Sequence, residues 1–279
     1  MLGKLIKHEW KSTYKICCVM LIFLAVMTIL GCLSFRTQFW SEAFKGNDVN
    51  NLTILDYSGI LMLVFYVIAI IGVICGSLIY IAVHFYKGLY SEEGYLTHTL
   101  PVSSHEILIS RLLVGSCWYI IICIMAILSI VILVYSVMAI AFSVTESGSL
   151  LSYIIANRDS IFASIRESYN IESWSYVFWS IPSMIISTVY SIMTILGALT
   201  LGQLSGKHKV VMSIVSYFAI TVVQSLINNI ILLPVMLTAS MNNGNSFGWN
   251  NLTIVLNVVI TVVLYFLSYF IITKKLNLE

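Results

Sequence analysis

Positions 210–273 contain no Asp, Glu, Lys, Arg or His. A soluble domain devotes about a quarter of its residues to charge, so a stretch of this length with none does not fit a surface that faces water. The same oiliness recurs along the chain, which is 59% apolar and only 9% charged. Runs long enough to cross a hydrocarbon core of about 30 Å, at about 1.5 Å per helical residue, occupy 16–35, 60–83, 112–142, 176–204, 210–241 and 252–273. The third, fourth and fifth exceed what a span needs and are expected to tilt, protrude or re-enter. Nothing alternates with the two-residue period of a membrane barrel. The expected fold is an all-α polytopic membrane protein with six transmembrane helices, forming a single transmembrane domain over 1–279.

The lysines and arginines predict its orientation. If the N-terminus is cytoplasmic, Lys4, Lys7, Lys11, Lys15, Lys87, Arg111, Lys207, Lys209, Lys274 and Lys275 lie inside. Only Arg36, Lys45, Arg158 and Arg166 lie outside, and both termini are then cytoplasmic. Trp40, Trp174, Trp179 and Trp249 fall at the proposed outer ends and Trp10 at the inner face, as interfacial anchors should.

Segment 1–15, MLGKLIKHEWKSTYK, is expected to be a separate surface helix. Leu2, Leu5, Ile6, Trp10 and Tyr14 share one face, and Lys4, Lys7, Lys11 and Lys15 another. The basic start, apolar run and LGCLS around Cys32 imitate a lipoprotein signal, but Leu30 is bulky for its place and five more spans follow. An uncleaved first helix is expected. Cys17, Cys18, Cys32, Cys75, Cys117 and Cys123 fall in apolar segments without CxxC spacing and read as inert buried thiols.

Several motifs fail on inspection. GQLSGKH at 202–208 has three residues between its glycines where a phosphate loop has four, and His208 stands where that loop needs a hydroxyl for magnesium. The chain is therefore not expected to hydrolyse ATP itself. His8, His84, His98, His105 and His208 show no zinc-helix spacing and are expected to be solvated or interfacial. Asn51 and Asn251 begin glycosylation sequons, which carry meaning only in a eukaryotic secretory route.

No Asp, Glu, Lys, Arg or His falls within the core of any predicted span. Ion-coupled carriers keep costly intramembrane carboxylates or histidines, and intramembrane hydrolases need an activated nucleophile or a metal. The polar groups inside are neutral, among them Gln224, Asn228, Asn229 and Asn257, and such groups bond neighbouring helices. If this chain moves something uphill, the energy comes from another subunit.

The segment 84–111 offers the place for that subunit. After 84–93 comes Gly94, which permits a turn, and Pro101 breaks a helix near Leu100. Ser103 and Glu106 have the spacing of a capping box that starts the third helix. The outcome is a short cytoplasmic helix with Tyr95, Leu96, Leu100 and Val102 available for an apolar socket. EEGYLTHTLPVSSHEILISRLL resembles the first cytoplasmic loop of ATP-binding-cassette permeases of the second transport type, and six spans with both ends inside and an N-terminal surface helix extend the resemblance. It implies that Glu92, Glu93, Gly94, Tyr95, Leu96, Thr97, Leu100, Pro101, Val102 and Ser103 belong to a coupling helix seated in a nucleotide-binding ATPase subunit. Two permeases, identical or different, and two ATPases would form the working unit, with ATP and magnesium held by the partner and no cofactor bound directly.

There are departures. The largest outer loop is 143–175, where an amphipathic helix carrying Ile161, Phe162, Ile165 and Tyr169 is expected. The family often places its re-entrant loop between spans five and six, and here Asn228, Asn229 and Pro234 are expected to break the fifth helix.

The charge-free interior suits a hydrophobic or amphipathic cargo, such as a bacteriocin or toxin peptide, exported across a bacterial cytoplasmic membrane; drugs and lipids fit equally. The alternative is a non-transporting scaffold, sensor or immunity protein, which needs no ATPase. Nothing points to nucleic acid.

Overall fold

A computed structural model describes residues 2–36, 40, 54–90, 103–145, 150–160, 163–164, 175–205, 208–241 and 247–274. Among these, all regular structure is helical: α1 Leu2–Ser34, α2 Ile54–Tyr90, α3 Ser104–Thr145, α4 Leu150–Ala156, α5 Ser175–Gly202, α6 Lys209–Met241 and α7 Phe247–Lys274. Six of them are long and apolar enough to cross a membrane. Their outward faces are apolar too, with Val19, Ile22, Phe65, Ile127, Val131, Phe218 and Phe266 all exposed. In water such faces would demand a cover; in a bilayer they meet lipid, and helices satisfy every backbone group internally. This is the architecture of a multi-pass helical membrane protein.

The helices extend beyond the apolar runs. α2 has 37 residues and α3 has 42, so at 1.5 Å per residue α3 is about 63 Å long, roughly twice a hydrocarbon core. Segment 1–15 is not a separate element, because α1 is continuous from Leu2 to Ser34. Neither proline nor glycine interrupts it at the expected junction, and the Thr13 hydroxyl folds back onto the Glu9 and Trp10 carbonyls without breaking the helix. α6 likewise passes through Asn228, Asn229 and Pro234 to Met241. The expected break is absent there: the Asn228 and Asn229 amides remove no backbone hydrogen bond, and the one that Pro234 forfeits for want of an N–H is a loss that membrane helices tolerate.

The chain divides into two compact units, Met1–Tyr14, Leu78–Ile120 and Glu172–Glu279 in one and Lys15–Ser77 with Ile121–Ile171 in the other. In the first, α5 packs against α6 and α7, and Ile192, Met193 and Leu196 join Phe85, Leu89 and Leu264 in a buried core. Gly202 ends α5 at its contact with α6, where an added Cβ would lie 2.6 Å from the Ser213 backbone nitrogen. Only glycine fits that approach. Thr200 and Ser268 meet at 3.2 Å between α5 and α7, and the Tyr190 hydroxyl donates to Gln224 Oε1, whose amide Nε2 lies 3.5 Å from Asn257 Oδ1. Gln224 and Asn257 thus bond neighbouring helices, as expected.

In the second unit Leu24, Val73, Ile122 and Ala126 bring α1, α2 and α3 together. None of the six cysteines is in a disulfide; only Cys17 is buried, while Cys75 and Cys117 are exposed. The buried-thiol expectation fails for the exposed pair because apolar runs here face outward as often as inward. The expected helix carrying Ile161, Phe162, Ile165 and Tyr169 lies outside the described residues, and the described 143–175 region contains α4, with Tyr153 against Phe142 at 5.0 Å between ring centroids.

Candidate functional site

The site is built where α2 ends and α3 begins. Its central residue is Arg111, two turns into α3 and only 3% exposed. The guanidinium donates through Nη1 to the Phe85 carbonyl at 3.3 Å and through Nη2 to the Gly88 carbonyl at 2.8 Å. Nη2 also lies 3.3 Å from Glu9 Oε1. The other oxygen of Glu9 meets His84 Nε2 at 2.9 Å. An ionised carboxylate only accepts, so Nε2 carries the proton in that bond.

One cluster therefore ties α1, α2 and α3 together with a carboxylate, a histidine, a guanidinium and two main-chain carbonyls. A planar guanidinium with several fixed donors suits such a junction better than an ammonium, and charge-assisted bonds are the strong ones. Space for it comes from Gly88, where an added Cβ would lie 2.5 Å from both terminal nitrogens of Arg111. Beside the cluster Trp10 stacks on Trp118, their centroids 4.7 Å apart and their planes 29° from parallel.

The start of α3 is held as firmly. Ser103 is its N-cap: the Glu106 amide lies 3.4 Å from Ser103 Oγ, and the Ile107 amide donates to the Ser103 carbonyl at 3.3 Å. His105 stacks on Tyr269 with ring centroids 3.7 Å apart and places Nδ1 2.9 Å from the Tyr265 hydroxyl, which joins α3 to α7. Leu89, Ile107 and Leu108 on either side are fully buried or nearly so.

Of the residues assigned to coupling, Ser103 caps α3. Glu92, Glu93, Gly94, Tyr95, Leu96, Thr97, Leu100, Pro101 and Val102 lie outside the described residues.

The structure adds what the inner-side count and the solvated-or-interfacial reading did not specify: Arg111 is buried, and His84 and His105 are bonded to Glu9 and Tyr265. The cause is helix length: α1, α2 and α3 carry Glu9, His84 and Arg111 past the apolar runs on helix walls that face one another. A signal was present, since His84 and Gly88 sit one turn apart on one face and Glu9 is the lone carboxylate before Glu42.

Among the described residues no three His, Cys, Asp or Glu side chains gather closely enough to hold a metal ion. The cluster works as a structural junction, with no nucleophile or open ligand position. No family model, curated protein or solved structure matches the chain.

Proposed function

We propose that this chain is the membrane-spanning subunit of an ATP-driven exporter, coupled through 84–111 to a separate ATPase that docks from the cytoplasm. The observation that carries this reading is the double anchoring of that segment. Its incoming end is fixed by Arg111 on the Phe85 and Gly88 carbonyls, and its outgoing end by the Ser103 cap and the His105 contacts with α7. A load applied to Glu92–Ser103 would reach α1, α2, α3 and α7 with little slack, because packed cores transmit displacement and do not absorb it.

The cargo in this reading is hydrophobic or amphipathic, a peptide such as a bacteriocin or toxin, passing outward through a bacterial cytoplasmic membrane with both termini of the chain inside. Six apolar helices whose apolar runs carry only neutral polar groups such as Gln224 and Asn257 support it. ATP and magnesium would be bound by the partner, and a second permease copy would complete the assembly.

The test is a mild-detergent pull-down of the tagged chain from its native membrane, followed by mass spectrometry. A stoichiometric soluble partner carrying G-x-x-x-x-G-K-[ST] is the expected result. Recovery of the chain alone, or with membrane chains only, would sink the exporter reading and leave a scaffold, sensor or immunity role.

A further inference from the structure

A cavity of about 440 Å³ opens in the second unit between α1 and α3, with Leu24, Ile29, Leu33, Leu128 and Ile132 on its walls and Arg36 at one end. Its volume falls within the range of ordinary ligand sites, yet its chemistry is almost entirely hydrocarbon. The polar atoms on its wall are already committed. Thr28 donates to the Leu24 carbonyl at 2.7 Å, so the 2.7 Å contact between Thr28 and Ser129 must be donated by Ser129. The 2.7 Å contact of Ser129 with the Tyr66 hydroxyl is then donated by Tyr66. Each hydroxyl spends its single proton in one direction, and the chain Tyr66, Ser129, Thr28, Leu24 closes on a carbonyl. The groove therefore has no spare hydroxyl proton for a polar ligand.

Its length matches one leaflet. From Leu24 to Ser34 α1 rises about 15 Å, half of a hydrocarbon core of about 30 Å. Arg36, just past the end of α1, is exposed, and no carboxylate among the described residues pairs with it. An apolar slot one leaflet deep that ends at a guanidinium has the chemistry of an acyl chain joined to a phosphate, which a guanidinium binds in fork geometry.

We propose that this groove is a binding site for one anionic phospholipid, with an acyl chain between α1 and α3 and its headgroup on Arg36. The site needs no ATPase and no cargo, so it stands or falls separately from the exporter reading.

The chain is reconstituted in nanodiscs of phosphatidylglycerol and phosphatidylcholine in equal amounts, and lipids that survive gentle detergent release are identified by native mass spectrometry. The expected retained lipid is phosphatidylglycerol, enriched about five-fold over phosphatidylcholine, the size of a well-placed exposed ion pair. Arg36→Gln should return the ratio to that of the disc, and Arg36→Lys should keep most of the preference. Ala25→Trp, which puts an indole into the groove, should remove the retained lipid of both kinds; Ile29→Trp serves if the first variant loses its helical circular dichroism. Equal retention of the two lipids by the wild type, or enrichment that survives Arg36→Gln, would overturn the headgroup assignment. Retention that survives a folded groove-filling variant would overturn the groove itself.

Discussion

Arg111 Nη2 lies 2.8 Å from the Gly88 carbonyl and 3.3 Å from Glu9 Oε1, so one nitrogen links three helices. The main-chain partner on α2 cannot be removed by any side-chain change. What can be changed is the cation and the carboxylate, both largely withdrawn from solvent at 3% and 12% exposure.

Arg111→Met should therefore destabilise the chain by about 3–5 kcal/mol, the usual cost of leaving one member of a buried pair alone. Arg111→Lys should recover only part, since an ammonium lacks the geometry to reach both carbonyls and Glu9 together. Adding Glu9→Gln to Arg111→Met should cost less than the two single losses summed, because the stranded carboxylate is then neutral. Thermal unfolding in detergent, followed by circular dichroism, measures all three. A loss below about 1 kcal/mol for Arg111→Met would show that the cluster is wet and contributes little.

The sequence displayed the helices well and this cluster poorly, and the reason is physical. Apolar runs announce a span because the bilayer demands length and oil, which is why the limits of 210–241 match α6 to within a residue, although the break expected inside it is absent. The run 252–273 matches α7 to within a residue at its C-terminal end but not at its start, five residues earlier. Beyond the hydrocarbon, helices continue on packing and capping alone. Only the cap is written locally, as at Ser103, where α3 begins one residue later. That Glu9 finds His84 and Arg111 depends on how three helices associate, and no local pattern encodes it. The same holds for Ser129 with Tyr66 and Thr28, which single-helix periodicity cannot pair.

Gly88 and Gly202 should differ in their tolerance of alanine. At Gly88 the added methyl meets the far end of a flexible arginine; the guanidinium can shift, and a cost of about 1–2 kcal/mol is expected. At Gly202 it meets the Ser213 main chain, which moves only if α5 and α6 separate. Gly202→Ala should cost about 3 kcal/mol or lower the folded yield outright. The comparison is read from melting temperatures and from the monodisperse fraction in size exclusion. The opposite order would mean that the α5–α6 approach is looser than the structure has it.

Coupling variants should separate assembly from work. In the proposed complex, Glu93→Gln or deletion of Leu100 and Pro101 should leave membrane insertion intact and lower transport at least ten-fold while ATP hydrolysis continues. The assay is transport and ATPase activity of the same co-reconstituted proteoliposomes. Unchanged transport in both variants would remove 84–111 from the coupling path.

The hydroxyl chain of the second unit makes the last and most directional prediction. Ser129 both accepts from Tyr66 and donates to Thr28. Ser129→Ala therefore deletes two bonds and leaves the buried Tyr66 hydroxyl with no acceptor in the chain, whereas Tyr66→Phe deletes one bond and leaves the Ser129 to Thr28 bond intact. Hydrogen bonds between membrane helices are worth about 0.5–2 kcal/mol, and an abandoned buried donor adds its desolvation cost. Ser129→Ala should thus cost about 1–3 kcal/mol and Tyr66→Phe less than half of that. In the double variant the stranded phenol is gone, so its cost should fall below that of Ser129→Ala alone. Chemical denaturation in mixed micelles gives the three values. If Tyr66→Phe proved the costlier change, the protons run the other way along the chain.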